Sequence, residues 1–96
     1  MCYSETIKAG KKNIQAFLLN LGKANLIVLL GSRGYVMCGY LNLKAADKFG
    51  DLAVKITGVS NFREALNARV HSLSRAARHS GIKKGQAIKD VLKIIA

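Results

Sequence analysis

The segment around Cys38 contains the residue types of a nucleophilic site. Cys38 lies near the predicted end of a strand, and a helix is predicted to begin just after Asn42. A helix N-terminus favours the thiolate, which is the form of cysteine that acts as a nucleophile. Gly39 has no side chain and lets a ligand approach the backbone closely. The pattern therefore indicates Cys38 as a candidate catalytic residue, with Tyr35, Gly39 and Asn42 as candidate ligand-binding residues.

A cysteine nucleophile also needs a base, and the base is usually histidine. His71 and His79 lie far along the chain from Cys38, and the sequence does not bring either of them within reach. The alternative is that Cys38 is a small buried side chain in a strand, as free cysteines commonly are. Both interpretations stay open, and the sequence does not decide whether the protein is an enzyme.

The residue spacing gives no indication of a metal or a cofactor. His71 and His79 are predicted to lie on one helix, where eight residues separate them by about 12 Å. No cysteine or carboxylate lies beside them at the spacing of a ligand set. We therefore expect neither a metal site nor a cofactor.

The chain is strongly basic, with 16 Lys and Arg against 5 Asp and Glu and a formal net charge of +11. Such a charge is typical of surfaces that bind nucleic acid or other anions, although a solvated helix face has the same composition. The predicted third helix places His71, Arg75 and Arg78 at positions i, i+4 and i+7. The anion-binding candidates are Arg69, His71, Arg75, Arg78, Lys83 and Lys84. Nucleic acid is the less favoured partner, because only six aromatic residues are present for base stacking.

Short strands separated by glycine turns are predicted in the first forty residues. Alternation and apolar runs favour a meander of four strands, Tyr3–Lys8, Ile14–Leu21, Leu26–Leu30 and Tyr35–Tyr40. Asn42 and Gly50 are suitable caps for a helix over Leu43–Phe49. A fifth strand is predicted over residues 52–56.

Helical patterns follow the fifth strand. Asn61 and Glu64 have the spacing of a capping box, and Val70, Leu73 and Ala77 have the spacing of a third helix that ends at Gly81. The last helix carries Ile88, Val91, Leu92 and Ile95 on one face, with Lys89 and Lys93 outward. The fold class expected for residues 1–96 is a single α+β domain, a mainly antiparallel sheet of about five strands backed by three to four helices.

The second and third strands are apolar on both faces, whereas the helices can cover only one of them. We expect a second copy of the chain on the other face and therefore a homo-oligomer, most simply a dimer. The alternative is a sheet that curls on itself. The longest apolar run, Leu26–Leu30, is far shorter than the roughly 20 residues of a membrane span. No secretory signal is expected in residues 1–12, and with two cysteines the expected location is cytoplasmic.

Several landmarks together resemble a known family. The segment Gly34-Tyr35-Val36-Met37-Cys38-Gly39, followed by Leu41-Asn42, is similar to the central signature of the YunC-like proteins, small archaeal and bacterial chains that form a domain of unknown function. The landmarks continue with Gly58-Val59, Glu64-Ala65-Leu66, Ala76-Ala77 and Gly81-Ile82-Lys83-Lys84-Gly85. The resemblance covers residues 5–95 and supports the fold. It implies no particular activity.

Three functions are consistent with these observations. The first is a small cytosolic oligomeric module that binds a small ligand near Cys38. The second is a cysteine-dependent enzyme or redox site at Cys38, and the third is anion or nucleic-acid binding through the basic helix face.

Overall fold

The structure is a computed structural model that describes residues 2–22, 24–38 and 42–96. Four strands come first, and short helices and two further strands follow, so the predicted α+β class is confirmed. In chain order they are β1 (Cys2–Ala9), β2 (Lys12–Leu21), β3 (Ala24–Leu30), β4 (Tyr35–Cys38), α1 (Leu43–Phe49), β5 (Ala53–Ile56), α2 (Phe62–Leu66), β6 (Ser72–Leu73), α3 (Arg75–His79) and α4 (Ile88–Ile95).

The strands form a sheet in the order β1–β2–β3–β4–β5–β6. The first four strands pair antiparallel, so the predicted meander is confirmed. After β4 the chain crosses through α1 and returns as β5, which runs parallel to β4. Two parallel strands begin at the same end of the sheet, so the chain needs such a crossover to return to that end before β5 starts. The sheet has six described strands rather than about five, because β6 adds to β5.

The predicted third helix is wrong over its first half. Residues 72–73 form β6, which pairs antiparallel with β5, and Arg69 forms an isolated bridge with Ala87. The helix in this region, α3, begins only at Arg75, with Ser74 as its N-cap. The spacing of Val70, Leu73 and Ala77 fits a helix, but hydrogen bonding to β5 overrides that local preference.

One face of the sheet is covered and forms the core. Alternate residues of β2 to β5 point to this face and are almost completely buried, among them Ile14, Ile27 and Val36. They pack against the apolar stripe predicted for α4, which is confirmed, and against α2 and α3, each of which contributes one fully buried residue. The helical part of this cluster comprises Ala65, Ala77, Ile88, Val91, Leu92 and Ile95.

The opposite face of β2, β3 and β4 carries a second set of apolar side chains, here called the open face. It consists of Phe17, Leu19, Leu26, Val28, Leu30, Tyr35 and Met37. Strand pairing places Phe17, Val28 and Met37 in one row, with Leu19 beside Leu26 and Leu30 beside Tyr35. Phe17 and Leu19 are each 37% exposed and Leu30 is 44% exposed. No described helix buries these side chains as the helices bury the core.

Candidate functional sites

Cys38 lies at the end of β4 and points into the covered face, where it is 6% exposed. Its thiol donates to the backbone carbonyl of Val59, with 3.6 Å between sulfur and oxygen. Among the described residues, no histidine or carboxylate is hydrogen-bonded to this thiol. Cys38 is therefore buried in the way that is typical of a structural cysteine. Its catalytic role stays a prediction.

Tyr35 begins β4, three residues before Cys38, and strand alternation directs it to the open face. Its hydroxyl donates to Oδ2 of Asp51, 3.1 Å away. Burial raises the pKa of Tyr35 above its ordinary value of 10.0, and the hydrogen bond and the negative charge of Asp51 act in the same direction. The structure thus does not bring Tyr35 and Cys38 to one site. Asp51 is not among the residues predicted for the site, because no spacing in the sequence links it to Tyr35.

Asn42 has a structural task that the sequence predicts. It is the N-cap of α1, and its Oδ1 accepts from the backbone N–H groups of Lys44 at 3.0 Å and Ala45 at 3.3 Å. Gly50 ends the helix in the left-handed conformation, with φ of 73°. Gly39, the third predicted ligand-binding residue, lies outside the described residues. A ligand role for Tyr35, Gly39 and Asn42 stays a prediction.

Asn61 caps α2 as the sequence predicts, whereas Glu64 bonds to Ser60, one residue before the N-cap that a capping box would use. Asn61 Oδ1 accepts from the backbone N–H of Glu64 at 2.8 Å, and Glu64 Oε1 accepts from the backbone N–H and the hydroxyl of Ser60. These two hydrogen bonds lower the pKa of Glu64 below its ordinary value of 4.5. The carboxylate of Glu64 therefore serves to stabilise the start of α2.

The predicted basic stripe does not form, because its residues do not share one helix. His71 lies before β6, where its backbone N–H donates to the carbonyl of Lys55. Arg75 begins α3 and is held by Asp47 of α1, through its backbone N–H at 2.8 Å and its Nε at 3.7 Å. Arg78 and His79 follow on α3, and both are exposed. The two histidines are therefore not on one helix, contrary to the prediction.

The remaining basic candidates lie together at a turn. The Arg69 guanidinium donates to the carbonyl of Gly85, 3.0 Å away, beside the exposed Lys83 and Lys84. The turn is closed by the backbone N–H of Gln86, which donates to the carbonyl of Lys83 at 3.1 Å. Gly85 adopts a positive φ of 84° within this turn. Arg69, Lys83 and Lys84 thus form a smaller basic cluster, and their predicted anion binding stays a prediction.

The described ranges contain neither a cluster of metal-ligating residues nor a helix that could cross a membrane. No three or more His, Cys, Asp or Glu residues there lie close enough together to hold a metal ion. None of the helices there combines the length and apolarity that crossing a membrane requires.

The fold and the segment around Cys38 together define a class of protein. The model of the family described as "Domain of unknown function (DUF1805)" matches residues 37–95, which are more than half of the chain. The chain therefore belongs to the DUF1805 family, and the resemblance stated from its landmarks is confirmed.

Individual relatives agree with this assignment. The chain is 32% identical to "Uncharacterized protein YunC" of Bacillus subtilis (strain 168) over 82 residues, which cover 80% of each protein. It is also similar to a crystal structure of TA1206, a protein of unknown function from Thermoplasma acidophilum. That likeness has a TM-score of 0.96 and 38% identity, and covers 100% of this chain and 94% of the other.

Proposed function

We propose that the protein is a self-associating cytoplasmic module, and that two copies pack through their open faces. The observation that supports this best is the open face itself. Seven apolar side chains form a continuous patch over three adjacent strands, with Phe17, Leu19 and Leu30 each more than a third exposed. By the spacing of strands and residues, the patch is about 10 Å wide and about 13 Å long before its side chains are added. Contiguous exposed apolar patches of this kind usually mark interaction sites.

The distribution of charge favours a second copy of the same chain. The protein carries a net charge of +11, so most pairings of two copies bring like charges together. Pairing of β2, β3 and β4 puts no Lys, Arg, Asp or Glu among the seven residues of the open face. The nearest cation in the sheet is Lys55, which lies beside Met37 at the margin. Two open faces can therefore meet without bringing like charges together at the centre of the interface.

The margin of the open face is polar, as the rim of an interface usually is. Thr6 of β1 pairs with Gln15 of β2, and their side chains are hydrogen-bonded at 3.2 Å. Both are exposed and on the same side as Phe17. An apolar centre inside a polar margin is the arrangement that a symmetric dimer requires, because each copy presents the same surface to the other.

The proposal is tested by the mass of the particle in solution. We expect light scattering after gel filtration to give twice the monomer mass of 10.4 kDa at about 100 μM protein. Phe17→Lys and Leu30→Lys each place a charge at the centre of the open face, and each should raise the dissociation constant about 30-fold or more. Both positions are partly exposed, so the variants should still fold.

The matched control is Ser80→Lys, which adds the same charge at the exposed end of α3. It should leave the dissociation constant unchanged within about twofold. A wild-type monomer at about 100 μM, or equal weakening by Phe17→Lys and Ser80→Lys, would refute the proposal.

A further inference from the structure

A pocket separate from both Cys38 and the open face lies between the first hairpin and the last helix. Its volume is about 300 Å³, and it is lined by Ile7, Lys8, Ala9, Gly10, Leu66, Lys89, Leu92 and Lys93. Three parts of the chain meet there: the end of β1 with its turn, the end of α2, and one side of α4. Its size is at the lower end of the range for small-molecule sites, which predicts a small ligand.

The lining has two chemically distinct parts. Ile7, Ala9, Leu66 and Leu92 supply an apolar floor, and the first three are half-buried where they line the pocket. Such a floor favours a hydrocarbon body, because the transfer of apolar surface out of water is favourable.

The rim is cationic and has no counter-charge. Lys89 and Lys93 are four residues apart, so they lie on the same side of α4 and supply two ammonium groups. Lys8 lines the pocket from β1, but strand alternation turns its side chain to the side of Thr6, away from Ile7 and Ala9. None of the lining residues is acidic. Within residues 2–22, 24–38 and 42–96, the side chains of Lys89 and Lys93 make no hydrogen bond or ion pair. Two unpaired cations beside one apolar floor are complementary to an anion with an apolar body.

We propose that this pocket binds a small amphipathic carboxylate, with its apolar chain on the floor and its carboxylate beside Lys89 and Lys93. The lysines hold the anionic end by charge, while their aliphatic stems extend the apolar surface. The inference does not depend on self-association, because the pocket shares no residue with the open face.

The test uses octanoate as the probe, titrated into the isotope-labelled wild-type protein. We expect saturable shifts of the amide signals of Ile7, Leu66 and Leu92, with a dissociation constant below about 1 mM. The neutral analogue 1-octanol and the short carboxylate acetate should each bind at least about 10-fold more weakly, since one lacks the charge and the other the chain. Inorganic phosphate at the same concentration should not displace octanoate.

Two variants separate the charge from the shape of the pocket. The double variant Lys89→Gln/Lys93→Gln should raise the dissociation constant for octanoate about 10-fold or more. Its matched control is Lys44→Gln/Lys48→Gln, which removes two exposed lysines at the same spacing from α1 and should change binding less than about twofold. Ala9→Phe fills the floor without changing charge and should abolish the shifts.

Three results would overturn the inference. The first is no shift at the lining residues up to about 10 mM octanoate. The second is octanol binding as tightly as octanoate, and the third is equal weakening by the α4 and α1 double variants. Retention of the wild-type unfolding temperature by each variant shows that a loss of binding is not a loss of fold.

Discussion

The two faces of the sheet are built from neighbouring residues of the same strands, yet their surroundings differ. Ile27 is completely buried against the helices, whereas Val28, the next residue, lies among partly exposed side chains on the open face. Both faces are apolar, so hydrophobicity alone does not distinguish them. Whether an apolar strand face becomes core therefore depends on the number of helices available to cover it. In this protein, the described helices cover only one face of β2 and β3.

The sharpest test of this difference is a pair of adjacent substitutions in β3. Ile27→Ala leaves a cavity in the core and should lower the free energy of unfolding by about 2–5 kcal/mol. Val28→Ala should lower it by about 1 kcal/mol, because the side chain is only partly surrounded. Urea unfolding measures both, at the lowest practical protein concentration, since self-association adds stability at high concentration. Equal losses would show that the open face is packed as the core is.

Cys38 and Met37 provide the same comparison in chemical reactivity. In a Cys2→Ser background, iodoacetamide should modify Cys38 about 100-fold more slowly in the native than in the urea-unfolded protein, because the thiol must first become exposed. The matched control moves the thiol by one residue, with Met37→Cys in a Cys2→Ser/Cys38→Ser background. At a protein concentration low enough to give the monomer, it should react faster than Cys38, because the open face is then uncovered. Faster native modification of Cys38 than of this control would contradict the covered position and favour the catalytic prediction.

The smallest expected effect is at the polar end of the open face, where Tyr35 meets Asp51. Asp51→Asn removes the negative charge, so the pKa of Tyr35 should fall toward 10.0 while burial still raises it. The raised pKa means that the folded state holds this proton more firmly than the unfolded state. Its contribution to stability is therefore complete below pH 10.0 and is lost as the pH rises through the folded pKa.

Ultraviolet difference absorbance of tyrosinate measures this titration. The protein has three tyrosines, and subtracting the curve of Tyr35→Phe isolates the contribution of Tyr35. An unchanged titration in Asp51→Asn would mean that the hydrogen bond between the two side chains does not form in solution.

Local signals in the sequence predict much of the fold correctly. Asn42 and Gly50 bound α1, and the spacing from Ile88 to Ile95 identifies α4, because caps and helical periodicity act within a few residues. The local sequence does not predict β6, because this strand depends on pairing with β5, in which Val54 lies opposite Leu73 and Lys55 opposite Ser72. Ser74 was the missed local signal, since a serine before Arg75 is a good N-cap and indicates that the helix starts there.

The candidate sites were predicted less well than the fold. Sequence order identifies Cys38 and Tyr35 as neighbours, but strand alternation turns them to opposite faces. The stripe of His71, Arg75 and Arg78 required a continuous helix that does not exist. The pocket joins Ile7 and Ala9 to Lys89 and Lys93, about 80 positions later in the chain, and no spacing within the sequence reveals such a meeting.

The wide separation of the pocket residues along the sequence has a thermodynamic consequence. Because the pocket exists only when α4 lies against β1, any molecule that it binds recognises the folded chain and not the unfolded one. A ligand at 100 times its dissociation constant would then stabilise the fold by about 2.7 kcal/mol. Thermal-shift screening of small anions therefore reports occupancy of this pocket through the melting temperature of the protein, without knowledge of its activity.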